Sequence, residues 1–181
     1  RVERGAGLLM IGGWESFHGL GGDWDQSPIA AALPVAIGSL DDRVNSDEAF
    51  YVKVAQSEHP IVSHLPWNER PPLVGGFNRI EPKAGTQVLL QITRLSVQRL
   101  ATGFAATFAE DHPLLVVGEH GAGRTAAFAS DVAPHWIGPM VDWGPGPKRV
   151  TGQAAGADGI EVGAAYAQFF HQLLSWCRKL S

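Results

Sequence analysis

The chain has 181 residues, of which 45% are hydrophobic and 18% charged, and a net charge of −4. That is the balance of one globular domain with a core, and it argues against a nucleic-acid partner, because Lys and Arg form no stripe. A single cysteine, Cys177, excludes an internal disulfide and a thiolate zinc cluster. No apolar run approaches the ~20 residues of a membrane-spanning helix and no signal peptide is visible, so no membrane partner is expected and the cytoplasm is the expected setting.

The 22 glycines and 12 prolines predict many turns and short elements. "RVERGAG" reads as a last helical turn stopped by Gly5 or Gly7. Leu8 to Ile11 follows as a strand apolar on both faces, the pattern of a parallel strand. Parallel strands need parallel neighbours, so earlier strands, or a segment of another chain, are expected beside it. In "SPIAAALPV", Ser27 is a candidate N-cap and Pro28 the first residue of a short helix ended by Pro34. Val35 to Ile37 reads as a brief strand and "AFYVKVA" (49–55) as a longer one.

"EHPIVSHLPW" reads as a turn. "LVGGFNRI" and "GTQVLLQI" are two strands with "EPKA" as a turn between them. Residues 93–103 carry no decisive pattern. "PLLVVGE", "HGAG" and "RTAAFASD" form the clearest hairpin, with glycines for a tight turn. Residues 144–160 are expected to be a flexible loop. A helix from about Glu161 to Lys179 closes the chain, with Val162, Tyr166, Phe169, Phe170, Leu173, Leu174 and Cys177 as its apolar stripe. One domain over 1–181 accommodates all of this.

The chemical candidates are few. Cys177 lies near a helix C-terminus on the apolar stripe, where the dipole opposes a thiolate, so core packing is its expected role. Seven histidines include no HExxH pair. Asp131 and His135, with His18, are a conceivable metal set, but no ligand spacing selects them, and neither metal nor cofactor is expected. No Gly-x-Ser-x-Gly elbow is present. Ser16 stands too close to His18 for a nucleophile–base pair on one loop. Ser130 and Asp131 close a strand and are expected to cap the next turn. The glycines of "GGWESFHGLGG" could form a backbone nest for an anion. Trp136 and Trp143 could form an aromatic wall for a sugar, although half-buried structural tryptophans are commoner.

"GAGLLMIGGWESFHG", "SPIAAALPV", "HPIVSHL", "GFNRI", "PLLVVGEHGAGRTAAFASDVAPHW" and "FFHQLLSW" together resemble the putative glutamine amidotransferase family. It is an uncharacterised branch of the class I glutamine amidotransferase-like fold, and the likeness runs in order over most of the chain. The resemblance implies an α/β, flavodoxin-like three-layer sandwich, with this chain as its C-terminal part and the N-terminal strands outside it. Class I amidotransferases place a nucleophilic Cys after a strand in a pattern such as "GICLG", and a later strand ends in "FHPE" with the His and Glu of the triad. Laid on this sequence, the first pattern puts Gly12 at the Cys position. The second puts Ala129 at the His and Asp131 at the Glu. Neither glycine nor alanine can attack a carbonyl or move a proton, so no catalytic residue is carried over and thiol-based glutamine hydrolysis is not expected.

In open α/β sheets ligands bind beyond the carboxyl ends of the strands. The candidate ligand-binding residues are therefore Gly12, Gly13, Trp14, Glu15, Ser16, His18, Ser130, Asp131, His135 and Trp136. The leading expectation is a domain that binds a small polar metabolite or sugar, a carbohydrate context being suggested by the similar trehalose-utilisation-like proteins. A hydrolase using Asp131 and His135, possible with metal assistance, and a non-catalytic assembly module are the alternatives. A homo-oligomer or a partner segment completing the sheet is expected.

Overall fold

The computed structural model describes residues 1–132, 135–151 and 159–179. Its strands are β1 (Leu8–Ile11), β2 (Val35–Ala36), β3 (Arg43–Val54), β4 (Leu73–Asn78), β5 (Glu81–Pro82), β6 (Gln87–Leu100), β7 (Gly103–His120), β8 (Gly123–Phe128), β9 (Pro147–Thr151) and β10 (Gly159–Gly163). Two α-helices join them, α1 (Pro28–Ala32) and α2 (Ala164–Cys177). Six strands form one sheet in the order β1-β8-β7-β6-β3-β4. β1 and β8 run parallel, with Ile11 opposite Phe128, and the other neighbours are antiparallel.

The local signals explain most of this. Gly5, with φ 106°, ends the short 3-10 turn at Val2–Arg4. Pro28 opens α1 after Ser27, although the Ser27 hydroxyl donates back to the Trp24 carbonyl and does not cap the helix. The β7–β8 hairpin turns on Gly121 and Ala122, between His120 and its partner Gly123, and Gly121 adopts φ 60°.

Four expectations are corrected. "LVGGFNRI" and "GTQVLLQI" are not neighbours, because β3 lies between β4 and β6, and "EP" pairs with β2 instead. β3 begins at Arg43, six residues before the predicted strand: Arg43–Asn45 pair with Gly76–Asn78, and an irregularity then resets the register before Phe50. Within 144–160, expected to be a loop, Pro147–Thr151 forms β9 against β10; residues 152–158 lie outside the described residues. Finally, α2 starts at Ala164 rather than Glu161. Glu161 and Val162 belong to β10, and the Ala165 and Tyr166 amides donate to the Trp143 carbonyl at the helix start.

α2 packs one face onto β1 and β8. Its buried residues, Ala165, Phe169, Leu173 and Cys177, recur every four positions, the spacing of one helical face. Phe169 and Phe170 meet Phe128 with ring centres 5.8 and 5.5 Å apart. Trp67 stacks on Trp143 at 4.2 Å and touches Phe169, which seals the end of this layer. Each fully buried aromatic of this kind contributes roughly 1.5–3 kcal/mol of transfer free energy.

One closure positions the candidate site. β4 is the far edge of the sheet and β8 lies beside the opposite edge, yet the Asn78 amide donates to the Ala129 carbonyl at 2.8 Å. The sheet is curled, so that the ends of β4, β8 and β1 meet. Phe77 fills the inside of that curl, 5.1 Å from Phe50 and 5.1 Å from the His112 ring.

Candidate functional site

The ends of β1 and β8 lie side by side because the two strands are parallel and in register. The Gly12 amide extends the ladder by one bond, to the Phe128 carbonyl at 2.7 Å. Gly12 is buried, and its α-carbon faces the opposing backbone. A Cβ added there would overlap the Ala129 carbonyl oxygen, and would lie 2.6 Å from its carbon and 2.7 Å from Asn78 Oδ1. Any side chain at this position forces the two strand ends apart.

Asn78 holds the loop that follows. Its Oδ1 accepts from the Gly13 amide at 2.8 Å. Its Nδ2 donates to Asp42 Oδ1 at 2.7 Å, to the Gly13 carbonyl at 3.1 Å and to the Ser16 carbonyl at 3.4 Å. Asp42, also buried, accepts from the His18 amide through Oδ2 at 2.8 Å. Burial pushes the Asp42 carboxyl above its usual range, and the bonds from Asn78 and His18 work against that rise. Phe17 is fully buried between these contacts with φ 54°, a conformation that a bulky residue adopts only when its surroundings compel it.

The side chains carried on this loop differ in what they can reach. Trp14 and Glu15 are exposed, and Ser16 and His18 are partly so. Arg43 lies over the Trp14 ring at 5.0 Å and grips Asp41 with two bonds, at 2.8 and 2.6 Å. That grip holds the Asp41 carboxyl down at about 2. His18 Nδ1 pairs with Asp25 Oδ1 at 2.8 Å, and Nε2 lies 3.8 Å from Asp23. Asp25 is held below the usual carboxylate range by Gln26 first and by His18 second. The result is an imidazole oriented by a carboxylate, the arrangement that fixes a tautomer for acid–base work or for ligand binding.

The loop after β8 lies beside Gly13; a Cβ on Gly13 would stand 3.9 Å from Asp131 Cβ and 3.6 Å from Ser16 Oγ. Ser130 is buried and its hydroxyl donates to the Gly76 carbonyl at 2.9 Å. Asp131 is the cap of the next turn. Its carboxylate accepts from the Trp136 amide at 3.2 Å and the Ile137 amide at 2.8 Å, and burial raises its pKa against those bonds. Trp136 is 2% exposed; its ring nitrogen donates to Asn45 Oδ1 at 2.6 Å, and its indole lies where a Gly76 side chain would stand. Trp143 is buried as well, with its ring nitrogen on the Arg70 carbonyl at 2.6 Å. Of the two roles left open for Trp136 and Trp143, both rings take the commoner one and are packing groups. His135 is exposed.

Among the described residues no three His, Cys, Asp or Glu side chains are close enough to hold a metal, and Asp131, His135 and His18 do not form such a group. Cys177 is buried on α2 and burial pushes its thiol up to about 11. The sequence reading assigned no role to Asn78, Asp42, Asp25 or Phe17. The available signal for Asn78 was an amide ending the otherwise apolar strand "LVGGF", inside a segment already quoted for the family likeness.

A mixed α/β sheet whose parallel strand pair ends in a glycine elbow fits a flavodoxin-like α/β fold of the amidotransferase-like class. The chain belongs to the family described as putative glutamine amidotransferase, whose profile matches residues 1–148. Two solved structures from Salmonella typhimurium are similar to it. One is the cytoplasmic protein STM3548, at 26% identity and a TM-score of 0.69, over 97% of this chain and 56% of that one. The other is the cytoplasmic protein STM1381 of strain LT2, at 27% identity and a TM-score of 0.63, over 99% of this chain and 56% of that one. The chain thus spans little more than half the length of the structures it matches. No curated protein matches it. No helix among the described residues is long and apolar enough to cross a membrane.

Proposed function

We propose that this chain uses the amidotransferase-like scaffold to bind a small polar molecule, a sugar or another metabolite, at the carboxyl ends of β1 and β8, without thiol chemistry. The closure at Gly12 carries this reading. The position that matches the family's nucleophile has no room for a Cβ between Ala129 and Asn78, and the chain's one thiol is Cys177, buried on α2. Trp14, Glu15, Ser16, His18 and His135 are the side chains that would meet a ligand. Gly12, Gly13, Ser130, Asp131 and Trp136 would hold the two loops in place. The same reading gives the protein a cytoplasmic setting, as in the named relatives, and gives β1 a further strand on its outer edge, from a second copy or a partner segment that completes the sheet.

Two measurements test it. Ammonia release from glutamine should not exceed a buffer control; release that persists in Cys177→Ala would overturn the exclusion of glutaminase activity. A panel of sugars and amino-acid metabolites should contain a compound that raises the melting temperature, with the rise reduced in Trp14→Ala and in His18→Ala. A rise unchanged by both substitutions would put the ligand elsewhere.

His18 favours a second reading, because Asp25 orients its ring. In that reading the chain is a hydrolase of other chemistry with His18 as the base, in place of the expected Asp131 and His135, whose carboxylate is committed to the Trp136 and Ile137 amides. Hydrolysis of a test substrate that disappears in both His18→Ala and Asp25→Asn would support it over simple binding.

A further inference from the structure

The two loops of the proposed site are acidic. Residues 12–26 and 129–137 carry Glu15, Asp23, Asp25 and Asp131 and no Lys or Arg, in a chain that has 14 of them. Arg43 and Arg79 border the first loop, and neither offers it a free charge. Arg43 lies over the Trp14 ring, but its two bonding edges are spent on Asp41, at 2.8 and 2.6 Å. Arg79, next to Asn78, lines a different cavity, together with Glu81, Glu110 and Asp111. An anionic ligand would meet no uncommitted cation here.

The backbone does not make up for that lack. A glycine-rich loop binds an anion through free amides, and here the protein's own acceptors take them. Gly12 donates to the Phe128 carbonyl at 2.7 Å and Gly13 to Asn78 Oδ1 at 2.8 Å. Gly19 donates to the Ser16 carbonyl at 2.9 Å and Gly22 to the Gly19 carbonyl at 2.8 Å. The His18 amide is held by Asp42 and the Trp24 amide by the Phe17 carbonyl. In the second loop the Trp136 and Ile137 amides already hold an anion, the carboxylate of Asp131. The anion nest expected from "GGWESFHGLGG" is therefore filled from within.

The groups left free are of the opposite kind. Among the described residues the exposed Glu15 carboxylate has no ion pair, and the Asp23 carboxylate, 77% exposed, has only the His18 imidazole at 3.8 Å. Two indoles stand on the same loop, Trp14 at 49% and Trp24 at 37% exposure. Both are held in place. The Arg43 guanidinium, pinned by Asp41, lies 5.0 Å from the centre of the Trp14 ring, and Trp24 Nε1 donates to the Glu15 carbonyl at 3.1 Å. A ring fixed beforehand spares a ligand the entropy of ordering it. Indole faces attract both carbon skeletons and cations, and carboxylates accept the donors that a cation carries. An ammonium group has three donors and no acceptor, and so matches a surface whose free polar groups are acceptors.

Given a ligand bound at these loops, as proposed above, we infer that it is an organic amine, with its ammonium group on the Glu15 and Asp23 carboxylates and its carbon skeleton against the Trp14 and Trp24 indoles. Three forms of one pyranose test this: glucosamine, N-acetylglucosamine and glucuronate, each titrated at about pH 7 while the amide and indole N–H resonances are followed by NMR. Glucosamine should shift the Trp14 and Trp24 indole signals with a Kd on the order of millimolar. N-acetylglucosamine, which lacks the charge, should bind roughly tenfold more weakly, and glucuronate should leave the loops unshifted. The double variant Glu15→Gln/Asp23→Asn should weaken glucosamine roughly tenfold and N-acetylglucosamine less than about twofold. Asn suits position 23 because it tolerates the left-handed backbone there, with φ 41°. Glucuronate that binds the loops as tightly as glucosamine overturns the amine and leaves the site standing. So does a preference for glucosamine that survives the double variant. A loop that stays silent with glucosamine at concentrations well above millimolar also overturns the amine. Shifts from all three compounds that fall only outside residues 12–26 and 129–137 overturn the placement of the site itself, and the amine with it.

Discussion

The loop after β1 and the arm formed by β6 and β7 are both extensions of the same sheet, and opposite forces shape them. From Gly12 to His18 the chain is fixed by buried polar groups: Asn78 alone bonds Gly13 twice and reaches Ser16 and Asp42, and Asp42 then holds the His18 amide. From Leu95 to Phe108 the backbone of each strand pairs only with the other, β3 reaching the arm through Glu48 on the Ser96 hydroxyl, and the apolar side chains face outward. The first region is over-determined, because each buried donor and acceptor must be matched or the fold loses its desolvation energy. The second is left open on one face. A rigid shape at the strand ends suits the recognition of a small molecule, while an unsatisfied apolar face suits another protein surface.

That contrast is broken most directly at Gly12. Gly12→Cys places a thiol where the expected likeness to class I amidotransferases puts their nucleophile, with its Cβ against the Ala129 backbone. The expected cost is about 3 kcal/mol or more, the upper range for overpacking, because backbone and not a flexible side chain must yield. Urea unfolding measures it. A Gly12→Cys protein as stable as the wild type would show that the strand ends can open and that the nucleophile position is accessible after all. Asn78→Ala comes next, at roughly 2–4 kcal/mol, since it removes four bonds and leaves Asp42 and the Gly13 amide without their partner. Hydrogen exchange should then rise at Gly13 and His18 more than in β7. An unfolding free energy unchanged in Asn78→Ala would remove the amide from its place at the centre of the site.

The two regions were also unequally legible in the sequence. Leu8–Ile11 is apolar on both faces, and that reads directly as a parallel strand; its parallel neighbour is β8, downstream in the same chain, where an earlier strand or another chain was expected. The β7–β8 hairpin was equally plain, because "HGAG" supplies the positive φ that the turn needs. The polar clamp was not legible, because Asn78 and Asp42 act across 65 and 36 residues of separation, and no local period reports such contacts. Residues 93–103 gave no clear period for a different reason. Propensity and alternation describe a strand with one buried face, and here the apolar residues change sides at Thr93 while neither face is buried beyond it, so the two halves of β6 cancel each other's pattern. For Ser130, Trp136 and Trp143 the sequence left both packing and binding open, because polar and aromatic side chains at strand ends serve both purposes; only their partners, Gly76, Asn45 and Arg70, show what holds them.

A pH series sharpens the contrast within the clamp. Burial raises the Asp42 carboxyl above the value of about 3.9 that it has in the unfolded chain. The folded state therefore holds this proton more tightly than the unfolded state does. Its contribution to stability is fully present below about pH 4 and is lost as pH rises through the folded value. Asp131 contributes with the same sign. Asp41 has the opposite sign, since Arg43 depresses it to about 2 and its contribution is lost as pH falls toward that value. It is fully exposed, so solvent screens its share. Asp25 and His59, both lowered, add contributions of the opposite sign that the wild type and Asp42→Asn share, so upward from about pH 4 the change of the urea midpoint with pH should be more favourable in Asp42→Asn than in the wild type, even though that protein starts less stable. An equal slope in the two proteins would mean that Asp42 is solvated in the folded state and that the clamp is looser than its hydrogen bonds imply.

The smallest effect belongs to the arm. Phe104→Ser should leave the unfolding free energy within about 0.5 kcal/mol of the wild type, because the ring is 74% exposed and touches little of its own molecule. The ladder from Ser96 to Thr107 is sheltered by no third strand, so its amides should exchange by local opening, well before those of Leu114–Val117 in the core. A large loss of stability in Phe104→Ser at high dilution would mean that the ring packs within its own chain, and the difference between a clamped elbow and an open arm would disappear.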